Sequence, residues 1–480
     1  KPQTEEHLRI LELVGVKYGM IALTKIDLCD ADDRVLATMD IADHVAGTFL
    51  QDAPMIGLSA TTGEGLDEFI AALDALSQQS VPSSDHQRPR LFIDRVFAAK
   101  GSGTVVTGTL TDGSFSIGDN VIITPSGREA KIRGIQTLGQ AVESIEPGHR
   151  VALNLSGIEH SELLRGNVVI KENNWHLSDR VDSSLQVLAS LSHVVSRRGA
   201  FTVHIGSDEI PARVRVLGPE SIAPGNEGLV RLHLARAVPL LPGDRFVLRE
   251  SGRSETVGGG EILDVAPKLP ASRAQPTRSV ERVIAEHGWI QTDRLALLTG
   301  EKREAQFGEW TVAPEVLAST IATIESLISQ GGDGGIDLLS LDERQRLVAA
   351  TLPQLSIKEG RITIAGIHDP LLDHPVIERL ANEGCAPTAP TGITPPELRR
   401  LAKAGLLFER DGEWFHISAL DTARAVAAQL LQTNPEGFTM SQFREALGVT
   451  RKHSVPLAGE LDARAMTRRR GDVRIAGPKL

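Results

Sequence analysis

The stretch Gly19-Met20-Ile21-Ala22-Leu23-Thr24-Lys25-Ile26-Asp27 decides how the first part of this 480-residue chain folds. Its apolar opening has the pattern of a buried parallel strand. The turn after such a strand is where open α/β sheets place ligand contacts. There the Asp27 carboxylate can accept both N–H donors of a guanine edge, a two-point contact that adenine does not offer. Lys25 carries an aliphatic stem able to lie over the ring. Further along, Leu58-Ser59-Ala60 ends a second apolar run ahead of Gly63-Glu64-Gly65. The Ala60 N–H can donate to the guanine carbonyl oxygen. Each piece alone also describes an ordinary solvated turn. Their spacing, one helix and one strand apart, favours a nucleotide site made of Thr24, Lys25, Asp27, Ser59 and Ala60.

Bulk properties leave room for several domains. The chain is 41% hydrophobic and 24% charged, ordinary for a water-exposed globular protein. No apolar stretch reaches membrane-spanning length. Two cysteines, Cys29 and Cys385, suit a reducing compartment and suggest neither a disulfide framework nor a metal cluster. Net charge is −11, against indiscriminate nucleic-acid binding by the whole chain. Residues 451–480 differ: eight basic against three acidic residues give +5, and subtracting that from −11 leaves −16 for the remainder. A basic tip on an acidic body points to a localised anionic partner.

Residues 1–78 alternate helix and strand patterns, and a polar stretch around Pro82 reads as a linker. From Arg90 the pattern becomes short β runs with glycine turns, as in a small antiparallel barrel over 88–172, followed by a second all-β set over 180–268. After Pro267 the composition turns helical. Units over 275–335, 336–375, 376–419 and 420–480 each read as helices closed by a β-hairpin, the pattern of a winged helix. The third is the clearest, with Thr394-Pro395-Pro396-Glu397 opening a helix and Asp411-Gly412 turning a hairpin. The second has its turn at Glu359-Gly360. In the last unit Thr439 and Thr450 cap successive helices.

The motifs carry a resemblance. Thr24-Lys25-x-Asp27 with Ser59-Ala60 resembles the base-reading motifs of translational GTPases, with Thr24 where most carry Asn. Asp94-Arg95-Val96-Phe97, Gly101-x-Gly103-Thr104-Val105-Val106-Thr107-Gly108-Thr109, Pro147-Gly148-x-Arg150-Val151-Ala152 and Pro242-Gly243-Asp244-Arg245-Phe246 resemble barrel signatures of elongation factor Tu relatives. Leu447-Gly448-Val449-Thr450-Arg451-Lys452-x-x-x-Pro456-Leu457 and Thr467-Arg468-Arg469-x-Gly471-Asp472-x-Arg474 are similar to the final winged helix of the bacterial selenocysteine-specific elongation factor family. The fold this implies is multidomain: part of an α/β P-loop-type G domain, two antiparallel β-barrels, then tandem winged helices.

The resemblance implies that a full protein of this family uses GTP and Mg²⁺, carries selenocysteinyl-tRNA to the ribosome, and tethers to an mRNA hairpin beside a UGA codon. A cytoplasmic monomer without membrane contact is the corresponding expectation. No Gly-x-x-x-x-Gly-Lys-Ser/Thr occurs in the sequence, and Lys1 onward resembles the helix after the second switch region. The chain is therefore expected to be a fragment that keeps the base-reading half of a G domain, with no catalytic residue assigned and weak GTP binding. The positions matching the family's aminoacyl pocket are Asp94, Arg95 and Arg150. Two guanidiniums there favour an ionised selenolate over a serine hydroxyl; the bland reading is an Asp–Arg pair on a barrel rim.

Arg451, Lys452, Arg468, Arg469, Arg470 and Arg474 form the expected RNA-contact set, gripping a hairpin backbone from a helix start and a wing. A solvated strand edge is the bland reading of the arginine run, Arg469 above all. His7 reads as a helix-surface residue and His204 as packing in the second barrel. Two other functions fit less well: an ordinary tRNA carrier with a divergent tail, and a winged-helix regulator that binds duplex DNA.

Overall fold

The computed structural model describes residues 2–79, 85–99, 103–253, 255–358, 360–365 and 369–480. Lys1, Pro82, Gly101 and Glu359 therefore lie outside the described residues. The chain divides into two compact units, residues 1–314 and 315–480.

The first unit opens with helix α1 (Pro2–Leu13), strand β1 (Ile21–Thr24), α2 (Ala31–Val45), β2 (Met55–Leu58) and α3 (Leu66–Gln78). β1 and β2 pair in parallel, with Thr24 opposite Leu58. Their loops therefore emerge side by side at the carboxyl ends of the strands. α1 packs on strands of the second barrel and buries Leu8 and Leu13.

Two six-stranded antiparallel barrels follow. The sheet of the first holds β3 (Arg90–Ala99), β4 (Gly103–Leu110), β5 (Asn120–Thr124), β6 (Arg128–Thr137), β7 (Gln140–Val142), β8 (Arg150–Ser156) and β9 (Val168–Ile170), of which all but β7 form the six-stranded ring. It closes because β8 pairs with both β4 and β6, while β7 extends β6 as a short hairpin. Alternation puts Val151, Leu153 and Leu155 in the core and Arg150, Ala152 and Asn154 on the outer face. The second barrel closes through β10 (Leu177–Val187), β11 (Phe201–Ile205), β12 (Asp208–Leu217), β13 (Glu227–Pro239), β14 (Arg245–Glu250) and β15 (Glu255–Asp264).

The barrels share a core. Phe92, Val168, Ile170 and Trp175 belong to the apolar cluster that fills the second barrel. Gly206 permits this: its φ is +59°, and a Cβ there would meet the Phe92 ring at 2.5 Å. The first unit ends with α4 (Val280–His287), β16 (Trp289–Gln291), α5 (Thr292–Thr299) and β17 (Trp310–Val312), a helix–strand–helix–strand set whose hairpin pairs Trp289 with Val312.

The second unit begins inside the span expected for the first winged helix, because α6 (Pro314–Gln330) belongs to it from Glu315 onward. α6, β18 (Ile336–Asp337), α7 (Glu343–Ala349), β19 (Leu355–Lys358) and β20 (Arg361–Ile364) make a helix–strand–helix–hairpin set with a three-stranded sheet. Next come α8 (Pro375–Glu383), α9 (Pro395–Lys403), β21 (Leu407–Arg410) and β22 (Glu413–His416). Thr394 and Glu397 form a capping box at α9. Asp411 and Gly412 both have positive φ (52° and 84°), as a two-residue hairpin turn requires.

The chain closes with α10 (Ile417–Thr433), β23 (Phe438–Thr439), α11 (Met440–Leu447), α12 (Arg451–Ala463), β24 (Thr467–Arg470) and β25 (Val473–Ala476). Thr439 caps α11 through a capping box with Gln442, and Thr450 stands at the start of α12. Phe408 and Phe415 of the preceding hairpin share one core with Phe438, Phe443, Leu457 and Leu461. The last two winged helices are thus fused through α10. Among the described residues no helix is long and apolar enough to cross a membrane, and no cluster of metal-ligating side chains occurs.

Candidate functional sites on the barrels and the terminal winged helix

The loops after β1 and β2 are fixed by local bonding. Lys25 adopts a left-handed conformation (φ 63°, ψ 37°), and the turn that follows buries Ile26 and leaves Asp27 exposed. In the second loop Ser59 is fully buried. Its Oγ accepts from the Thr61 and Thr62 N–H groups, each at 3.2 Å, and its own N–H donates to the Glu64 carbonyl at 2.9 Å. Gly65 (φ +78°) lies so close to the Gly57 carbonyl that a Cβ would sit 2.0 Å from it. Arg34 joins the two loops: its Nε donates to the Ile26 carbonyl at 3.1 Å, and its Nη1 pairs with Glu64 at 2.9 Å. The Thr24 hydroxyl makes no hydrogen bond among the described residues, so bracing falls to Ser59 and Arg34 rather than to Thr24. The Asp27 carboxylate is exposed, and the Ala60 N–H is unbonded among the described residues.

On the first barrel, Asp94 is an extra residue in β3. Ile93 pairs with Gly108 and Arg95 with Thr107, leaving Asp94 at a bulge. The bulge turns its carboxylate onto the outer face, where Arg150 Nη2 reaches it at 2.8 Å and Nε at 3.2 Å. The Thr107 hydroxyl donates to the other carboxylate oxygen. Burial pushes the Asp94 pKa up, but the Thr107 and Arg150 hydrogen bonds and the charges of Arg150 and Arg95 outweigh it, leaving the group below its ordinary value. Arg95 is exposed beside this pair, and its guanidinium makes no hydrogen bond or ion pair among the described residues. Phe97 (45% exposed), Val105, Ala152 and Asn154 extend the face. Sequence reading named Asp94, Arg95 and Arg150 but not Thr107, whose place opposite Arg95 depends on strand register.

The second barrel carries a groove of about 1430 Å³ with exposed Arg197, Arg198, Arg213 and Arg215 on its walls. His233 pairs with Arg213 across the strands. Burial first, then Arg180 and Arg231, hold the His233 pKa below its ordinary value. This groove was not anticipated; Arg213-x-Arg215, two exposed positions on one strand face, was its signal.

In the last winged helix the six expected cations separate. Arg451, in the first turn of α12, and Arg468, on β24, are exposed and make no ion pair among the described residues. Arg469 Nε donates to the Gly471 carbonyl at 3.0 Å. Lys452 pairs with Glu413 at 2.9 Å, and Arg470 with Glu436 at 3.1 Å. Arg474 turns inward: its side chain is 13% exposed, pairs with Asp462 at 2.9 Å and donates to Met440 Sδ at 2.7 Å. It pins the wing to α11 and α12, so its guanidinium serves the fold rather than an outside phosphate. His7 and His204 stay outside all four sites; burial leads the lowering of the His204 pKa.

Fused barrels behind an α/β segment, with winged helices beyond, define a translation elongation factor of the elongation factor Tu class. Residues 103–170 match the family described as elongation factor Tu domain 2, residues 178–269 the selenocysteine-specific elongation factor beta-barrel domain, and residues 429–476 the elongation factor SelB winged helix. A selenocysteine-specific elongation factor of Desulfomicrobium baculatum is 37% identical over 263 residues, 55% of this chain and 42% of that protein. Elongation factor Tu 2 of Streptomyces avermitilis is 30% identical over 283 residues, 55% of this chain and 70% of that protein. The crystal structure of a bacterial selenocysteine-specific elongation factor, EF-Sec, superposes with a TM-score of 0.65 at 20% identity, covering 99% of this chain and 84% of that one. The chain belongs to the selenocysteine-specific elongation factor (SelB) family. It spans less than half the length of the Desulfomicrobium relative it matches.

Proposed function

We propose that this chain serves GTP-dependent delivery of selenocysteinyl-tRNA to the ribosome at UGA codons, guided by an mRNA hairpin. The observation that carries the reading is the Asp94–Arg150 pair with the exposed Arg95 beside it. A selenol is ionised near neutral pH, whereas a serine hydroxyl is not. An ionised selenolate can replace Asp94 as a partner for Arg150 or add to Arg95, gaining charge-assisted contacts that a neutral hydroxyl lacks. Thr107 fixes the carboxylate so that the guanidinium is oriented before the ligand arrives. The basic groove of the second barrel supports a path for the tRNA backbone along the same unit. Arg451 and Arg468 support an RNA contact at the terminal winged helix.

GTP, when bound, supplies the phosphate chemistry that makes delivery one-way. Asp27 and Ala60 would hold its guanine edge and Lys25 would cover the ring, and no residue of the 480 is assigned to the phosphates or Mg²⁺. Action in the cytoplasm as a monomer accompanies this reading.

The test compares the selenocysteinyl and seryl forms of one tRNA for binding to the chain and to its Arg150→Ala variant. One lost charge-assisted hydrogen bond predicts a preference for the selenocysteinyl form of about tenfold or more that the variant loses. Equal binding of both forms by the unaltered chain would favour an ordinary aminoacyl-tRNA carrier instead.

A further inference from the structure

Two carboxylates occupy cations of the terminal winged helix, and neither lies on its helices or its wing. Glu413 opens β22 of the preceding winged helix and holds Lys452 Nζ at 2.9 Å in the first turn of α12. Glu436, in the loop before β23, holds Arg470 on the wing at 3.1 Å, and its carbonyl accepts from the same guanidinium at 3.3 Å. Glu413 is held by packing as well as by charge. It sits on a seam where Arg410 pairs with Glu460 at 3.7 Å and Arg464 lies 5.8 Å from the Phe408 ring. Its side chain is 17% exposed, whereas Lys452 is 61% exposed. The cation can leave while the carboxylate stays.

We infer that Glu413 and Glu436 are built-in counter-charges that set how well this surface distinguishes a matched RNA hairpin from an arbitrary polyanion. The inference rests on the proposed RNA role of the terminal winged helix. Non-specific binding to nucleic acid is driven by cations that release counterions from phosphates. A cation already paired within the protein must first be freed, so it adds little to that drive. Exposed pairs of this kind are weak enough to be displaced. A rigid hairpin that engages Arg451 and Arg468 together brings its phosphates to Lys452 and Arg470 at no further positional cost. A flexible strand must order itself for each contact and gains less. The carboxylates therefore penalise the flexible strand more.

The experiment uses the full 480-residue chain with Glu413→Gln and Glu436→Gln, singly and together. Asp421→Asn serves as a charge-matched control, since the exposed Asp421 carboxylate on α10 makes no hydrogen bond or ion pair among the described residues. Each protein is titrated with a single-stranded oligouridylate and with a panel of bulged RNA hairpins at fixed salt. Freeing two cations should raise oligouridylate affinity about five- to tenfold, steepen its salt dependence by roughly one to two phosphates, and lower the hairpin-to-oligouridylate ratio. The control should change neither. Unchanged oligouridylate binding in the double variant, or an equal gain for both ligands, overturns the inference. Glu436→Gln lies at an exposed loop and keeps the test readable if Glu413→Gln disturbs the seam. If the unaltered chain prefers no hairpin, the RNA reading fails by itself. The oligouridylate response then still decides whether the carboxylates act as counter-charges.

Discussion

Arg90 of the first barrel grips Asp244 of the second with two parallel hydrogen bonds of 2.6 and 2.7 Å. Its guanidinium lies 4.7 Å from the Trp175 ring and also donates to the Pro239 carbonyl at 2.9 Å. The pair is nearly enclosed, and Phe92 of the same strand inserts its ring against Gly206. The two barrels are thus joined by a nearly buried ion pair and by a shared apolar core.

Removing one partner strands the other charge. Asp244→Asn should therefore cost about 3 kcal/mol. Differential scanning calorimetry should show the barrel transition lowered by several degrees, while Arg95→Ala, at an exposed position with no ion pair among the described residues, should leave it in place. Equal melting of all three proteins would mean that the apolar seam alone joins the barrels.

The Asp94 pair gives a pH prediction. Its pKa in the folded chain lies below the ordinary carboxylate value of 3.8. A depressed carboxylate adds stability that is fully present above the unfolded value and is lost as pH falls through the folded one. The Arg150 contact should thus persist through neutral pH and fail only in acid. Thr107→Val removes the donor that helps hold the carboxylate ionised, so a ¹³C NMR titration of Asp94 should show its midpoint moving upward. No movement would show that Thr107 does not orient this carboxylate.

His287, at the end of α4, has its pKa lowered to about 4, by burial first and then by the nearby charges of Lys268, Arg294 and Arg282 against the opposing Asp264. Unfolding would restore a value near 6.5. The unfolded chain then binds the extra proton, so stability is complete above the unfolded value and declines as pH falls toward the folded one. Urea melts of the first unit across that window should show the decline, and His287→Gln should shrink it. An unchanged slope would place the acid sensitivity elsewhere.

How much of this was legible in the sequence differs from site to site. The loops after β1 and β2 were readable because strand patterns and turn residues are local. Asp411-Gly412 likewise announced its hairpin through the positive φ that both positions adopt. The bulge at Asp94 was not readable, because an extra residue shows only once β3 and β4 are aligned. Thr107 and Arg34 act across the fold and have no sequence signal of their own. Arg474 looked like its basic neighbours, but strand pairing turned it toward Asp462. Glu413 and Glu436 were invisible for the same reason: each meets its cation more than thirty residues away. The start of the second unit within 275–335 went unseen because α6 continues the helical composition of its neighbours.

Arg474 and Arg451 should separate cleanly. Arg474→Ala removes a largely buried ion pair with Asp462 and should cost about 2–3 kcal/mol of stability in the terminal winged helix. Arg451→Ala touches no partner among the described residues and should leave stability unchanged. Chemical denaturation of the two variants checks both. A destabilised Arg451→Ala or an unaffected Arg474→Ala would reverse the roles assigned to them.

The terminal winged helix is proposed to read a structured RNA. The most direct test of that reading is binding of the full chain to a panel of bulged or looped RNA hairpins against duplex DNA at physiological salt, with Arg451→Ala and Arg468→Ala beside it. At least one hairpin should be preferred over duplex DNA by about a hundredfold or more, and each variant should lose about 1–3 kcal/mol of that binding. Equal, weak and salt-sensitive binding to every ligand, indifferent to both variants, would contradict it.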